Sequence, residues 1–119
     1  MRKILVVEDE DMLRESYKMI ISTEPYDLDV AKNGQEALDL CALKDYDLIL
    51  LDLMMPVLDG VGFLKRFKNP NTKVIILSNL SSSDTIEEAL KLGAESNLVK
   101  AAMSPRELLS RVRYEVTSL

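Results

Sequence analysis

Side chains that could do chemistry follow four short runs of Ile, Leu and Val residues. Glu8 and Asp9 come directly after the first run, Asp52 and Ser78 after two later ones, and Lys100 after the last. Carboxylates that lie together repel one another unless a cation joins them. A set of oxygen ligands, without histidine or paired cysteine, suits Mg²⁺ or Mn²⁺ rather than zinc. These residues predict a metal-assisted site that accepts phosphate.

Asp52 is the expected centre of that site. A charge at the end of an apolar strand is costly unless another group compensates it. A carboxylate can act as a nucleophile and form an aspartyl phosphate, and a metal ion would shield the approach of the phosphoryl donor. Lys100 would place a compact positive charge beside a phosphoryl oxygen, and Ser78 could donate a hydrogen bond to the phosphoryl group.

Each residue also has a purely structural interpretation. Asp52 could be a cap or turn residue, Ser78 a loop residue, and Lys100 a solvated lysine at a strand end. Glu10 and Asp11 are expected only to place negative charge at a helix N-terminus, where the helix dipole favours it. The coincidence of acidic, hydroxyl and basic residues at matching strand ends favours the functional interpretation.

Apolar runs alternate with segments of helical spacing along the whole chain. Continuous apolar runs suit strands that are buried on both faces, as in a parallel sheet. The predicted strands are residues 4–7, 28–31, 48–51, 74–77 and 98–99. This alternation predicts a doubly wound α/β fold of the flavodoxin type, with five parallel strands in the order 2-1-3-4-5 and helices on both faces. That order would bring Glu8, Asp9 and Asp52 to one edge of the sheet.

Several residues indicate where the helices begin and end. Asn33, Asp84 and Ser104 each precede a helical pattern and have a glutamate three residues later, which is typical of a helix N-cap. Pro105 suits the first position of the last helix, and Gly93 is predicted to end the fourth.

Length and composition predict one domain over residues 1–119. A net charge of −5 argues against a nucleic-acid-binding surface. The lone Cys41 excludes an intramolecular disulfide and suits a reducing compartment. No apolar run approaches the roughly 20 residues of a membrane span, and the N-terminal run is too short for a signal peptide. We therefore expect a cytoplasmic domain that contacts neither membrane nor nucleic acid directly.

These motifs together resemble the receiver domain of two-component response regulators. Residues 6–10, Val-Val-Glu-Asp-Glu, resemble the acidic pair after the family's first strand. Residues 52–60 resemble its phosphoacceptor loop, Asp-x-x-Met-Pro-x-x-Asp-Gly. Ser78 and Lys100 match its hydroxyl and lysine positions. The resemblance extends from Arg2 to about Val116.

The resemblance implies that Asp52 accepts a phosphoryl group from a histidine kinase or a phosphotransfer protein. Ser78 and Lys100 would bind that group. Phosphorylation would shift the face formed by the fourth helix, fifth strand and fifth helix, and so control binding of an effector protein, a fused output domain or a second copy. The domain would catalyse only its own phosphoryl transfer and autodephosphorylation, and would not be an enzyme in any other sense.

The resemblance also implies a metal site. Asp9 and Asp52 would bind Mg²⁺ directly, and the backbone carbonyl of Met54 would be a third protein ligand. Glu8 would act mainly through water.

The chain departs from the family pattern at several positions. Ala101 follows Lys100, where the family usually has proline after a cis peptide bond. A cis bond before a residue other than proline costs about 2.5–4 kcal/mol, so we expect a trans bond here. Asn97 stands where the family often has an aromatic residue that rotates on phosphorylation, which leaves open how this chain switches.

A third departure follows Ser78, where Asn79 replaces a small residue. Met54 and Leu80 are apolar at positions that border the site in the family. We expect Asn79, Met54 and Leu80 to limit access of water and to slow loss of the phosphoryl group.

Three other functions share features with this sequence. A pseudo-receiver, which keeps the fold and binds partners without phosphorylation, is favoured by Asn79, Asn97 and Ala101. A phosphatase of the haloacid dehalogenase type would need a second acid where Met54 stands. A flavodoxin-like redox protein would need glycine and hydroxyl residues, not acidic ones, after the first strand. The phosphorylated receiver is preferred over all three.

Overall fold

Five parallel strands form one sheet in the computed structural model, which describes residues 1–79 and 83–119. The strands are β1 (Lys3–Val7), β2 (Asp27–Ala31), β3 (Leu48–Asp52), β4 (Lys73–Ser78) and β5 (Ser96–Val99). Their order is β2-β1-β3-β4-β5, and every neighbouring pair is parallel. The predicted flavodoxin-like fold and strand order are therefore confirmed.

Helices cover both faces of the sheet. They are α1 (Asp11–Ile21), α2 (Gly34–Leu43), α3 (Gly60–Arg66), α4 (Ser83–Lys91) and α5 (Pro105–Thr117), with a 3₁₀ turn at Lys100–Ala102. Alternate strand residues point to opposite faces, so β1 contributes Ile4 and Val6 to the α1/α5 side and Leu5 and Val7 to the other side. Within the described residues, no helix is long and apolar enough to cross a membrane.

Two of the predicted helix caps are present as hydrogen bonds. The side chain of Asn33 accepts from the backbone N–H of Glu36 at 2.8 Å. Ser104 and Glu107 form a reciprocal capping box at the start of α5. Gly93 ends the α4 segment with a φ of +117°, a left-handed conformation that glycine adopts without steric cost.

The predicted N-cap at Asp84 is wrong. Ser83 is already helical, and Asp84 lies inside the first turn of α4. Negative charge is favourable both at the cap and in the first turn of a helix, so the sequence pattern alone does not distinguish these positions.

Candidate functional site

The carboxyl ends of four strands meet at one edge of the sheet. Asp52 pairs with Leu77 across β3 and β4, and Ser78 pairs with Val99 across β4 and β5. Lys100 follows Val99 directly, so it emerges at the same edge. Parallel pairing therefore gathers residues that are far apart in the sequence.

Glu8, Asp9 and Asp52 form an acidic cluster at this edge. Each offers a carboxylate oxygen, and these oxygens lie within 4.8 Å of one another. Glu8 is fully buried, and Asp52 is only 3% exposed. Burial, with further repulsion from Glu8, raises the pKa of Asp52 to about 7. The expected convergence of the three carboxylates is confirmed.

Lys100 is the cation of the cluster. Its Nζ lies 2.7 Å from Oε1 of Glu8 and 3.0 Å from Oδ2 of Asp52. Burial alone would lower the pKa of Lys100, but hydrogen bonds to Glu8 and Asp52 outweigh that effect and raise it. The peptide bond between Lys100 and Ala101 is trans, as predicted. One ammonium does not balance three carboxylates, so the cluster suits an additional cation.

The donor chemistry fits a hard divalent cation. Carboxylate oxygens are the ligands that Mg²⁺ prefers, and Mg²⁺ typically binds one or two of them while keeping water. The backbone N–H of Met54 donates to Oδ1 of Asp52 at 3.3 Å, which fixes the carboxylate relative to the following loop. The role of the Met54 carbonyl as a ligand stays a prediction.

Ser78 is buried, and its hydroxyl already has a partner. Its Oγ donates to Oδ1 of Asn97, while the carbonyl oxygen of Leu98 lies farther away at 3.5 Å. The structure thus places Ser78 at the expected edge but pairs it with the residue that replaces the family's aromatic side chain. Neither this pair nor its direction is predictable from the spacing of the two residues in the sequence.

The loop after Asp52 is closed by a tight approach of two backbone segments. Gly60 donates to the carbonyl of Leu53 at 3.0 Å, and a Cβ at Gly60 would lie 2.6 Å from the carbonyl oxygen of Asp52. Asp59 caps α3 by accepting from the backbone N–H of Gly62 at 2.7 Å. Asp59 and Gly60 therefore hold the loop after Asp52 close to the end of β3.

The predicted shield against water stays a prediction. The side chain of Met54 is exposed, and so is Asn79. Leu80 lies outside the described residues.

Arg14 is a positioning residue that sequence analysis missed. Its guanidinium donates to the carbonyl oxygens of Glu8 at 3.0 Å and Asp9 at 3.3 Å, and it pairs with Asp11 at 2.6 Å. Arg14 thereby ties α1 to the acidic loop. The sequence offers only a weak signal, because an arginine in the first turn of a helix is commonly solvated.

The chain is similar to known signalling domains over nearly its full length. A family model described as "Response regulator receiver domain" matches residues 4–113. The transcriptional regulatory protein SrrA of Staphylococcus aureus is 37% identical over 112 residues, which are 93% of this chain and 46% of that protein. The chain thus spans about half the length of the curated relatives it matches.

Solved structures agree with this similarity. The receiver domain of Francisella response regulator 1452 has a TM-score of 0.84 and 39% identity, and covers 99% of this chain and 98% of its own. The chemotaxis response regulator CheY4 of Vibrio cholerae has a TM-score of 0.85 and 28% identity, with coverage of 97% and 98%. All the residues of the candidate site lie within the segment that the family model matches.

Proposed function

This chain belongs to the response regulator receiver domains of two-component signalling systems, and on that premise we propose that Asp52 accepts a phosphoryl group from a phosphohistidine. The observation that carries the proposal is the buried Asp52 carboxylate with Lys100 at 3.0 Å and two further carboxylates beside it. This arrangement combines a nucleophile, a cation for the phosphoryl group and a place for a metal ion.

In the proposed reaction, a carboxylate oxygen of Asp52 attacks the phosphorus atom of the donor. The new P–O bond forms as the P–N bond breaks, and the histidine nitrogen leaves with the electron pair and takes up a proton. The ammonium of Lys100 would move from the Asp52 carboxylate to a phosphoryl oxygen and offset its negative charge. Ser78 would donate its hydroxyl hydrogen to another phosphoryl oxygen.

The acidic cluster would hold Mg²⁺, and Mn²⁺ would also fit. Asp9 and Asp52 would be direct ligands, with the Met54 carbonyl as the third and Glu8 acting through water. The bound ion would reduce the repulsion between the carboxylates and the incoming phosphoryl group. Arg14 would keep the acidic loop in place through its two carbonyl contacts.

The proposed output is a change in partner binding on the face formed by α4, β5 and α5. The donor would be a histidine kinase or a phosphotransfer protein, and the partner whose binding changes would be an effector protein, a fused output domain or a second copy of the domain. SrrA is named a transcriptional regulatory protein, which supports an output domain in longer relatives. We propose that this domain works in the cytoplasm, contacts no membrane or nucleic acid itself, and catalyses no reaction beyond its own phosphorylation and dephosphorylation.

Phosphorylation by acetyl phosphate tests the proposal. We expect intact mass spectrometry to detect one added phosphoryl group on the wild type with Mg²⁺, and none on Asp52→Asn or after chelation by EDTA. Asp45→Asn is the matched control. Asp45 precedes β3, whereas Asp52 ends it, and its exposed side chain lies outside the acidic cluster. No added mass with acetyl phosphate or a phosphorylated kinase would instead favour the pseudo-receiver.

A further inference from the structure

We propose that Asn97 competes with the phosphoryl group for the hydroxyl hydrogen of Ser78, and so couples occupancy of Asp52 to β5 and the α4 side of the sheet. This inference rests on the proposed function, because it concerns how that site responds. It assigns a positioning role to the amide that stands where the family often has an aromatic residue.

The competition follows from the hydrogen-bond capacity of a hydroxyl. Ser78 has one hydrogen to donate, and its Oγ donates that hydrogen to Oδ1 of Asn97. The residue is only 2% exposed, so water is not a ready substitute partner. A phosphoryl group on Asp52 could use the same hydrogen only if Ser78 turned away from Asn97.

The phosphoryl group would win this competition. Its oxygens are charged, and hydrogen bonds to charged acceptors are about twice as strong as those between neutral groups. The amide oxygen of Asn97 would then lose its partner in a half-buried position. Loss of that bond offsets part of the gain, so Asn97 weakens phosphoryl binding by holding Ser78 in the other orientation.

Strand geometry shows where the released amide would act. Leu98 packs into the core on the α1/α5 side, so the neighbouring Asn97 side chain lies on the opposite face. Its register partner Ile76 belongs to the core cluster on that face, which also contains Ala89 of α4. Reorientation of Asn97 would therefore occur beneath α4. Both α4 and β5, the strand that carries Asn97, belong to the proposed output face.

A double-mutant cycle tests the coupling. The four proteins are the wild type, Asn97→Ala, Ser78→Ala and the double variant, and the probe is beryllofluoride with Mg²⁺, a phosphoryl analogue. We expect Asn97→Ala to tighten beryllofluoride binding about threefold to tenfold, the worth of one net hydrogen bond. In the Ser78→Ala background the same substitution should have no effect, because the hydroxyl hydrogen for which Asn97 and the phosphoryl group compete is absent. Asn71→Ala, exposed in the loop before β4, is the matched control and should leave binding unchanged.

The side-chain amide of Asn97 gives a second readout by NMR. Its NH₂ resonances should shift on addition of beryllofluoride to the wild type and stay in place in Ser78→Ala. Equal effects of Asn97→Ala in both backgrounds, or weaker binding in Asn97→Ala alone, would overturn the coupling while leaving phosphorylation of Asp52 intact. Absence of beryllofluoride binding in all four proteins would overturn the proposed function and this inference together.

Discussion

The ammonium of Lys100 lies 3.0 Å from the carboxylate of Asp52, so the residue expected to bind the phosphoryl group already pairs with the residue expected to accept it. Lys100 is shared with Glu8, and one positive charge therefore serves two buried carboxylates. Buried charges are tolerated only when they are paired, and this pairing is incomplete. The resting site is thus electrostatically unfavourable, and several measurable consequences follow.

Asp52→Asn should stabilise the metal-free domain at high pH. The pKa of Asp52 is about 7 in the folded protein against an ordinary value of 3.8, so the folded state binds the proton more tightly than the unfolded state. The raised pKa contributes to the free energy of unfolding. This contribution is fully present below pH 4 and is lost as the pH rises through about 7. At pH 8, we expect urea unfolding to show the variant about 1–3 kcal/mol more stable than the wild type.

The difference between Asp52→Asn and the wild type should shrink towards pH 4, where Asp52 is protonated in the folded state. Saturating Mg²⁺ should also shrink it, because the metal stabilises only the protein that keeps the carboxylate. Asp45→Asn is the control and should leave the response to Mg²⁺ unchanged, because Asp45 lies outside the acidic cluster. A constant difference from pH 4 to pH 8 would contradict the raised pKa of Asp52.

Lys100→Met should destabilise the metal-free domain and make it more responsive to Mg²⁺. The substitution leaves Glu8 and Asp52 without their shared cation, and we expect a loss of about 2–3 kcal/mol at pH 8. A divalent ion can replace the positive charge that the substitution removes. Mg²⁺ should therefore raise the melting temperature of the variant more than that of the wild type. Differential scanning calorimetry with and without Mg²⁺ measures both effects.

Lys91→Met is the control for that experiment. Lys91 is exposed on α4, and its one ion pair among residues 1–79 and 83–119 is with Glu87, at 3.7 Å, one turn earlier in the same helix. Surface pairs of this kind contribute about 0.3–0.5 kcal/mol, so the control should change little. A Mg²⁺ response in Lys100→Met equal to that of the wild type would show that the ammonium and the metal do not compensate the same carboxylates.

The strand ends and the acidic cluster were predictable because each depends on local pattern. Four continuous apolar runs and a weaker one at residues 28–31 predicted the five strands, and the parallel order then required Glu8, Asp9 and Asp52 to share an edge. The partner of Ser78 was not predictable, because it depends on the orientation of a side chain 19 residues away on the next strand. Asp84 was misplaced because an acidic residue suits both the cap and the first turn.

Arg14→Ala should weaken Mg²⁺ binding without removing any ligand. Arg14 donates to the carbonyl oxygens of Glu8 and Asp9, so its loss frees the loop that carries both carboxylates. Each lost hydrogen bond is worth about 0.5–1.5 kcal/mol, and we expect Mg²⁺ affinity to fall about threefold to tenfold by isothermal titration calorimetry. Lys18→Ala, on the exposed side of α1, should leave the affinity unchanged. An unchanged affinity in Arg14→Ala would mean that the loop is held by other contacts.

Val57→Gly should stabilise the domain. Val57 has a φ of +70°, a left-handed conformation that is unfavourable for a β-branched residue, and its side chain is 81% exposed, so little packing is lost on its removal. Relief of strain of about 1–3 kcal/mol exceeds the cost of about 0.5–1 kcal/mol for the greater flexibility of glycine in the unfolded chain. We expect a net gain of about 1 kcal/mol in urea unfolding.

Val57→Ala separates strain from the loss of a side chain. Alanine also has a Cβ, so it should recover only the part of the strain that comes from β-branching and should gain less than glycine. The strain is local if Mg²⁺ affinity is the same in the wild type and in Val57→Gly. If the gain in stability comes with weaker Mg²⁺ binding, the strained Val57 instead helps to hold the loop that positions Asp52. Lower stability in Val57→Gly than in Val57→Ala would show that the left-handed conformation at Val57 is not a source of strain.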